Sequence, residues 1–212
     1  MIRWVLDLGE VAGLEHGWAW PVRLDGPQAS RALAGCRPSG DDLADAARLT
    51  NSAAGARRLL RRRLLRALAA RALGAATDRV SIARDERGGV RVTTPGPAFA
   101  SIAARGDWAL LAVGPTALGV DIELTPEPPP PADLLHPREQ ALLAACPGPS
   151  RTERTWRIWV AKEAFAKASG WPLDRALAEI APASSPGVEV SEYMLSGVVM
   201  AAVSLESDFA PA

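Results

Sequence analysis

Apolar positions recur along this chain in two periods, and the switches between them mark out the expected elements. Residues 2–8 and 17–24 are rich in Trp, Val and Leu and read as short strands. Over residues 53–73 the spacing lengthens. Leu60, Leu64 and Leu68 recur at four-residue steps, which places them in one stripe of a helix, and Gly74 supplies a stop. Arginines on the other faces complete an amphipathic pattern. Just before it, Asp41 and Asp42 can open a shorter helix toward Leu49, with the acids near its positive end. Residues 80–82 and 90–92 flank Asp85-Glu86-Arg87-Gly88-Gly89, the pattern of a hairpin with a glycine turn. Thr94-Pro95-Gly96-Pro97 is a loop. Residues 108–113 and 118–124 are strands around Gly114-Pro115, and Pro126-Glu127-Pro128-Pro129-Pro130-Pro131 is a stiff exposed loop. Helices are expected over 137–145 and 151–168, the second ending at Gly170, before strands return at 188–190 and 198–205.

Strands, a helix, strands, then helices and strands again give no regular βαβα alternation. The order argues for an α+β fold over a doubly wound sheet. A length of 212 residues allows one large domain or two small packed halves. The simplest division falls between residues 113 and 119, giving an N-terminal half over 1–113 and a C-terminal half over 114–212. The longest apolar runs, such as residues 108–113, are too short to span a bilayer, and the first residues lack the apolar core of a signal peptide. A cytoplasmic protein with no membrane partner is expected.

The rarer side chains narrow the chemistry. Cys36 and Cys146 are far apart, and His16 and His136 are the two histidines, so a zinc site of the usual His/Cys kind is disfavoured. No Gly-x-Ser-x-Gly occurs, which weakens a serine hydrolase. Net charge is zero, yet Arg57, Arg58, Arg61, Arg62, Arg63, Arg66 and Arg71 fall in one segment with no acid until Asp78. Such a run fits a footprint for phosphate, an acidic protein or nucleic acid. It fits equally a solvated face whose arginine stems cover apolar surface. Nucleic acid is the weakest of these, because aromatics are not interleaved with the arginines.

Asp121 and Glu123 are two apart on an expected strand, so both carboxylates leave one face. Carboxylates so placed repel or share a cation, and Mg²⁺ suits them because it takes oxygen ligands and completes its shell with substrate phosphates. Gly119 just before them can admit a ligand to the backbone. Taken alone, the pair also fits a solvated edge strand. Glu163 and Lys167, four apart on the later helix, face the same way, and Lys162 lies one residue off that line. Trp156, Trp159, Val160, Ala164 and Phe165 supply the helix's buried side, so it can present Glu163 firmly as a third ligand or a general base. Metal, base and cations together suit transfer of a phosphate-linked group onto a partner's hydroxyl.

The paired stretches Gly119-Val120-Asp121-Ile122-Glu123 and Trp159-Val160-Ala161-Lys162-Glu163-Ala164-Phe165-Ala166-Lys167 resemble the two signatures of the 4′-phosphopantetheinyl transferases. The resemblance extends from about Arg57 to Gly170, and length and order look like the Sfp-type branch. It implies a pseudo-dimer of two similar α+β halves in one chain, monomeric in solution. It implies transfer of the phosphopantetheine arm of coenzyme A to a serine of an apo acyl or peptidyl carrier protein, leaving 3′,5′-ADP. On that resemblance Asp121, Glu123 and Glu163 hold Mg²⁺, and Glu163 also deprotonates the serine, directly or through a metal-bound water. Lys162 and Lys167 neutralise the pyrophosphate and leaving group, and Arg57 or Arg58 meets the 3′-phosphate. Glu139, in Leu135-His136-Pro137-Arg138-Glu139, matches the acid of a third, looser motif.

Two departures stand out. Where the family often has Gly-Lys-Pro, this chain has Gly88-Gly89-Val90, and the family's Ser-His pair appears as Ala103-Ala104. Charge-assisted hydrogen bonds are worth roughly 1.5–3 kcal/mol each, so losing two or three weakens coenzyme A binding by ~10²–10⁴-fold unless something compensates. Arg105, beside the lost pair, and Arg58, within reach of the same phosphate, are the expected compensation. The alternative is a non-catalytic paralogue that keeps the fold and binds carrier proteins.

Overall fold

The computed structural model describes residues 1–85, 89–125, 128–195, 197–207 and 209. The tip of the glycine hairpin at Glu86-Arg87-Gly88 and the Pro126-Glu127 start of the proline run lie outside the described residues. The fold is α+β: among the described residues, two sheets and six helices. The larger sheet takes β1 (Ile2–Trp4), β2 (Gly17–Arg23), β3 (Ser81–Arg84), β4 (Val90–Thr94), β5 (Ala98–Arg105) and β6 (Trp108–Gly114) in the order β1-β2-β6-β5-β4-β3. All its pairings are antiparallel except β1 with β2. The smaller sheet is antiparallel, with β7 (Leu118–Leu124), β8 (Val188–Leu195) and β9 (Val198–Leu205) in the order β7-β9-β8. Helices α1 (Pro27–Ala34), α2 (Gly40–Ala47) and α3 (Ser52–Leu73) precede β3. Helices α4 (Pro137–Ala144), α5 (Gly148–Ser169) and α6 (Leu173–Glu179) lie between β7 and β8.

Strand alternation sorts the side chains into layers. On β7, Leu118, Val120 and Ile122 join Val198, Met200 and Ala202 of β9 against Ala19, Ala103, Leu110 and Ala112 of the larger sheet. The two sheets therefore face one another across an apolar seam. The opposite face of β9, with Val199, Ala201, Val203 and Leu205, carries α5 through Trp156, Val160, Ala164 and Phe165. The outer face of the larger sheet carries α3, whose Leu64, Leu65, Leu68 and Ala69 meet Trp20, Val22, Leu111 and Val113. The molecule is four layers deep: helix, sheet, sheet, helix. None of the described helices is long and apolar enough to cross a membrane.

Several expectations change. The first strand stops at Trp4 and gives way to a 3₁₀ turn at Leu8–Glu10, capped by Asp7. Helices α1 and α6 and strand β5 have no counterpart in the sequence pattern. Strand β5 is built on Ala98, Ala100, Ala103 and Ala104, residues of poor strand propensity. It is a strand because small side chains let it lie close to α3 on one face and to β7 on the other. The apolar stripe of α3 is as expected, with Leu64 and Leu68 buried and Leu60 packed beside them, but the arginines do not all lie on solvated faces: Arg62 and Arg66 are buried, because α2 lays Asp42 against both of them.

Candidate metal and phosphate site

The face of β7 opposite the apolar seam carries Gly119, Asp121 and Glu123. Helix α5 crosses this face so closely that a Cβ on Gly119 would collide with the carbonyl oxygen of Ala164 and stand 2.6 Å from the Ala168 nitrogen. It is therefore a helix, and not a ligand, that needs the glycine. The close crossing lowers Glu163 and Lys167 onto the two strand acids. Candidate ligand oxygens of Asp121, Glu123 and Glu163 all lie within 4.8 Å of one another.

Asp121 is buried, and its Oδ1 accepts a 2.6 Å bond from Lys167 Nζ, which also donates to the Val120 carbonyl at 3.1 Å. Its Oδ2 is buried with no hydrogen-bond partner among the described residues. Burial, with Glu163 and Glu123 adding repulsion against the pull of Lys167, pushes the Asp121 carboxyl up to about 7. Glu123 is met at the solvent edge by Arg105, whose Nε stands 3.0 Å from Oε2. A buried carboxylate oxygen without a partner, set beside two further carboxylates, is a poor arrangement for a protein alone. It suits a hard divalent cation, because all three donors are oxygens and the solvent side stays open for water or phosphate. Asp121, Glu123 and Glu163 thus fit Mg²⁺.

Glu163 and Lys167 also line a cleft of about 580 Å³ that runs from the end of α5 to the hairpin of β3 and β4 and the first turns of α3. Its other charged walls are Arg58, Arg61, Arg62, Arg84, Asp85 and Arg91. Arg58 and Arg84 both hold Asp45, at 2.6 and 3.1 Å, Arg62 holds Asp42 at 3.0 Å, and Arg91 stands 3.6 Å from Asp85 and over the Phe99 ring. Arg61 differs: its Nε donates to the Arg57 carbonyl of its own helix, and no carboxylate pairs with it among the described residues. Burial, reinforced by Arg58 and Arg57, pulls its pKa below the ordinary guanidinium value. Trp171 forms part of the same wall, beneath the Arg175 guanidinium. A cleft lined by cations, with an indole in one wall, suits a polyphosphate carrying a ring.

The expected site residues divide. Asp121, Glu123, Glu163, Lys167 and Arg105 come together. Arg57 points elsewhere, donating to the Gly106 carbonyl and to Asp107, both at 2.9 Å. Arg58 reaches the cleft but is held bidentately by Asp45. Lys162 does not join them. It is fully buried, with Nζ 2.7 Å from Glu139 Oε2 and donating to the carbonyls of Ala176, Leu177 and Ile180. One residue is about 100° around a helix, and that turn carries Lys162 under α6 while Glu163 faces β7. Burial acts against both charges of the pair, raising Glu139 and lowering Lys162, and each partner opposes the other's shift. Ala103 is buried in the seam between the sheets and Ala104 packs toward α3; it is Ala100, Ser101 and Ile102 of β5 that line the cleft. Sequence reasoning placed Arg61 only within the arginine run and missed Arg84, Arg91 and Trp171 as cleft residues, since no motif joins them and only folding brings them to one wall.

No curated protein matches this chain. Residues 117–209, which carry Asp121, Glu123, Glu163 and Lys167, match a family model described as the 4′-phosphopantetheinyl transferase superfamily. Residues before 117, including the arginine wall of the cleft, lie outside the match. Over residues 117–209, less than half of its length, the chain is thus similar to the 4′-phosphopantetheinyl transferase superfamily.

Proposed function

We propose that this protein transfers the 4′-phosphopantetheine arm of coenzyme A to a serine hydroxyl of an acyl or peptidyl carrier protein. The observation that carries the reading is the cluster of three carboxylates, one with a buried unpartnered oxygen, opening onto a cationic cleft. Glu163 is half-buried, on a helix pinned by Trp156 and Phe165, and faces the cleft mouth, a fitting place for a general base. It takes the serine proton as the hydroxyl oxygen bonds to the phosphorus that bears the pantetheine arm. The bond from that phosphorus to the bridging oxygen breaks, and 3′,5′-ADP leaves with the electron pair. Lys167 stands beside this charge, and Arg61 and Arg91 receive the phosphates farther along the cleft. Mg²⁺ held by Asp121, Glu123 and Glu163 would neutralise the diphosphate and polarise its phosphorus.

Lys162 falls outside this list and serves to fix α5 against α4 and α6. Two similar halves, divided near residues 113–114, are part of the proposal. Its support is topological: β2, α3, β5 and β6 recur as β7, α5, β8 and β9. In each, a strand and a 22-residue helix precede a hairpin whose last strand pairs antiparallel with the first.

The test is intact-mass analysis of apo carrier proteins from fatty-acid, polyketide and non-ribosomal peptide systems, incubated with this protein, coenzyme A and Mg²⁺. A gain of one phosphopantetheine arm, lost with Glu163→Gln, is the expected result. A folded protein that binds the carriers but adds no mass at saturating coenzyme A would favour the non-catalytic reading, to which Ala103-Ala104 lends support.

A further inference from the structure

The outer edge of β7 meets a hydroxyl that the chemistry above leaves unused. Among the described residues β7 pairs with β9 alone, so its other edge has no strand hydrogen-bonded along it. At Val120 side chains take that place. Ser101 Oγ of β5 accepts the Val120 N–H at 3.1 Å, and Lys167 Nζ of α5 donates to the Val120 carbonyl, also at 3.1 Å. The N–H and carbonyl of one strand residue leave the same edge, so Ser101 and Lys167 reach Val120 from the same side. Both residues also line the cleft of about 580 Å³.

Each of the two has a proton left to donate. Ser101 is 6 % exposed, and the bond it accepts from Val120 is its one hydrogen bond among the described residues, so no carbonyl or carboxylate there takes its hydroxyl proton. A hydroxyl that accepts from an N–H turns its own proton elsewhere. An ammonium has three protons, and Lys167 gives two of them, to the Val120 carbonyl and to Asp121 Oδ1. A nearly buried hydroxyl without an acceptor is a debt that native structures seldom leave open. Beside an ammonium with a spare proton, in a cleft walled by arginines, the acceptor it suits is an anionic oxygen. We propose that Ser101 binds phosphate: its hydroxyl and Lys167 together grip an oxygen of the coenzyme A diphosphate, while the Val120 N–H holds the hydroxyl in place. The inference rests on the transferase reading above, which supplies the diphosphate. It gives the strand of Ala103-Ala104 a polar contact with the ligand.

The experiment is calorimetric titration of coenzyme A into the full chain in Mg²⁺ buffer, with no carrier present, beside thermal melting of each variant. Ser101→Ala should weaken coenzyme A binding roughly 10- to 100-fold, the worth of one hydrogen bond to a charged group. Ser101→Cys fills nearly the same space with a weak donor, so it should lose a similar factor while its melting temperature stays near wild type. Ser101→Thr keeps the hydroxyl and should keep the affinity. The cysteine variant carries the test if Ser101→Ala loosens the packing between β5 and β7. Wild-type affinity in Ser101→Cys reduces Ser101 to a prop for Val120 and overturns the inference, with the transferase reading left standing. A loss of affinity that follows melting temperature through all three variants, Ser101→Thr included, overturns it as well. A folded wild type that does not bind coenzyme A removes the transferase reading, and the inference with it.

Discussion

Lys162 and Lys167 sit five residues apart on α5, and their surroundings assign them unrelated tasks. Lys162 is enclosed by Glu139 and three carbonyls, so its removal would strand a buried carboxylate. Lys162→Met is expected to cost about 3–5 kcal/mol in stability. Coenzyme A affinity of the folded fraction should be unchanged. A loss of affinity without a fall in melting temperature would return Lys162 to the ligand. Gly119 offers a second case. An added methyl meets α5 backbone and not a flexible side chain, so Gly119→Ala should destabilise by at least about 1–3 kcal/mol. Because the same crossing places Glu163 and Lys167, Mg²⁺ affinity should fall with it; calorimetry beside thermal melting checks both. Among the arginines, pairing decides the outcome. Arg61→Ala should weaken coenzyme A binding roughly 10- to 100-fold, the worth of one charge-assisted contact, while Arg57→Ala stays within about twofold. Equal effects from both would mean that the cleft acts by diffuse charge alone.

At the scale of elements, legibility follows partner distance along the chain. Strand β7 and helices α3 and α5 carry their patterns in their own sequence, and their observed bounds, Leu118–Leu124, Ser52–Leu73 and Gly148–Ser169, sit close to expectation. Asp121, Glu123, Glu163 and Lys167 could be found because each pair shares one element and one period. The burial of Arg62 and Arg66 was not legible, because their acid comes from α2, about twenty residues away. Asp45 of the same helix binds Arg58 and Arg84 and faces Arg62, and the Arg58 hydrogen bond foremost holds its carboxyl down at about 2. A carboxyl depressed on folding stabilises above its unfolded value, near 3.8, and loses that contribution as pH falls through the folded value. Asp45→Asn should thus cost about 2 kcal/mol at neutral pH, and the difference from wild type should shrink from about pH 4 down to pH 2. Denaturant unfolding across that range measures it. A gap independent of pH would assign Asp45 to packing, and α2 would no longer be an electrostatic clamp on the cleft's arginine wall.

For the whole molecule, the seam between the sheets decides whether the matched segment can stand by itself. The family match begins at residue 117, and the strand order repeats on either side of residues 113–114, so both suggest a unit that could be cut there. The packing argues otherwise. Leu118, Val120, Ile122, Val198, Met200 and Ala202 are each at most 4 % exposed and are covered by Ala19, Ala103, Leu110 and Ala112 of the other half. Polar ties cross the same boundary: Val120 N–H donates to Ser101 Oγ at 3.1 Å, and Trp4 Nε1 donates to Ser191 Oγ at 2.6 Å while its ring stacks on Tyr193. A fragment of residues 114–212 would expose that contiguous apolar sheet face and would lose the arginine wall of the cleft. Expressed alone it should aggregate or bind a hydrophobic dye without a cooperative melt. Co-expression with residues 1–113 should yield a one-to-one complex that melts cooperatively and binds coenzyme A. A monomeric 114–212 fragment with a sharp melt would show that the seam is an interface between independent domains. In that case the carboxylate cluster would survive the cut while phosphate recognition would not, and Mg²⁺ titration of the fragment would separate the two.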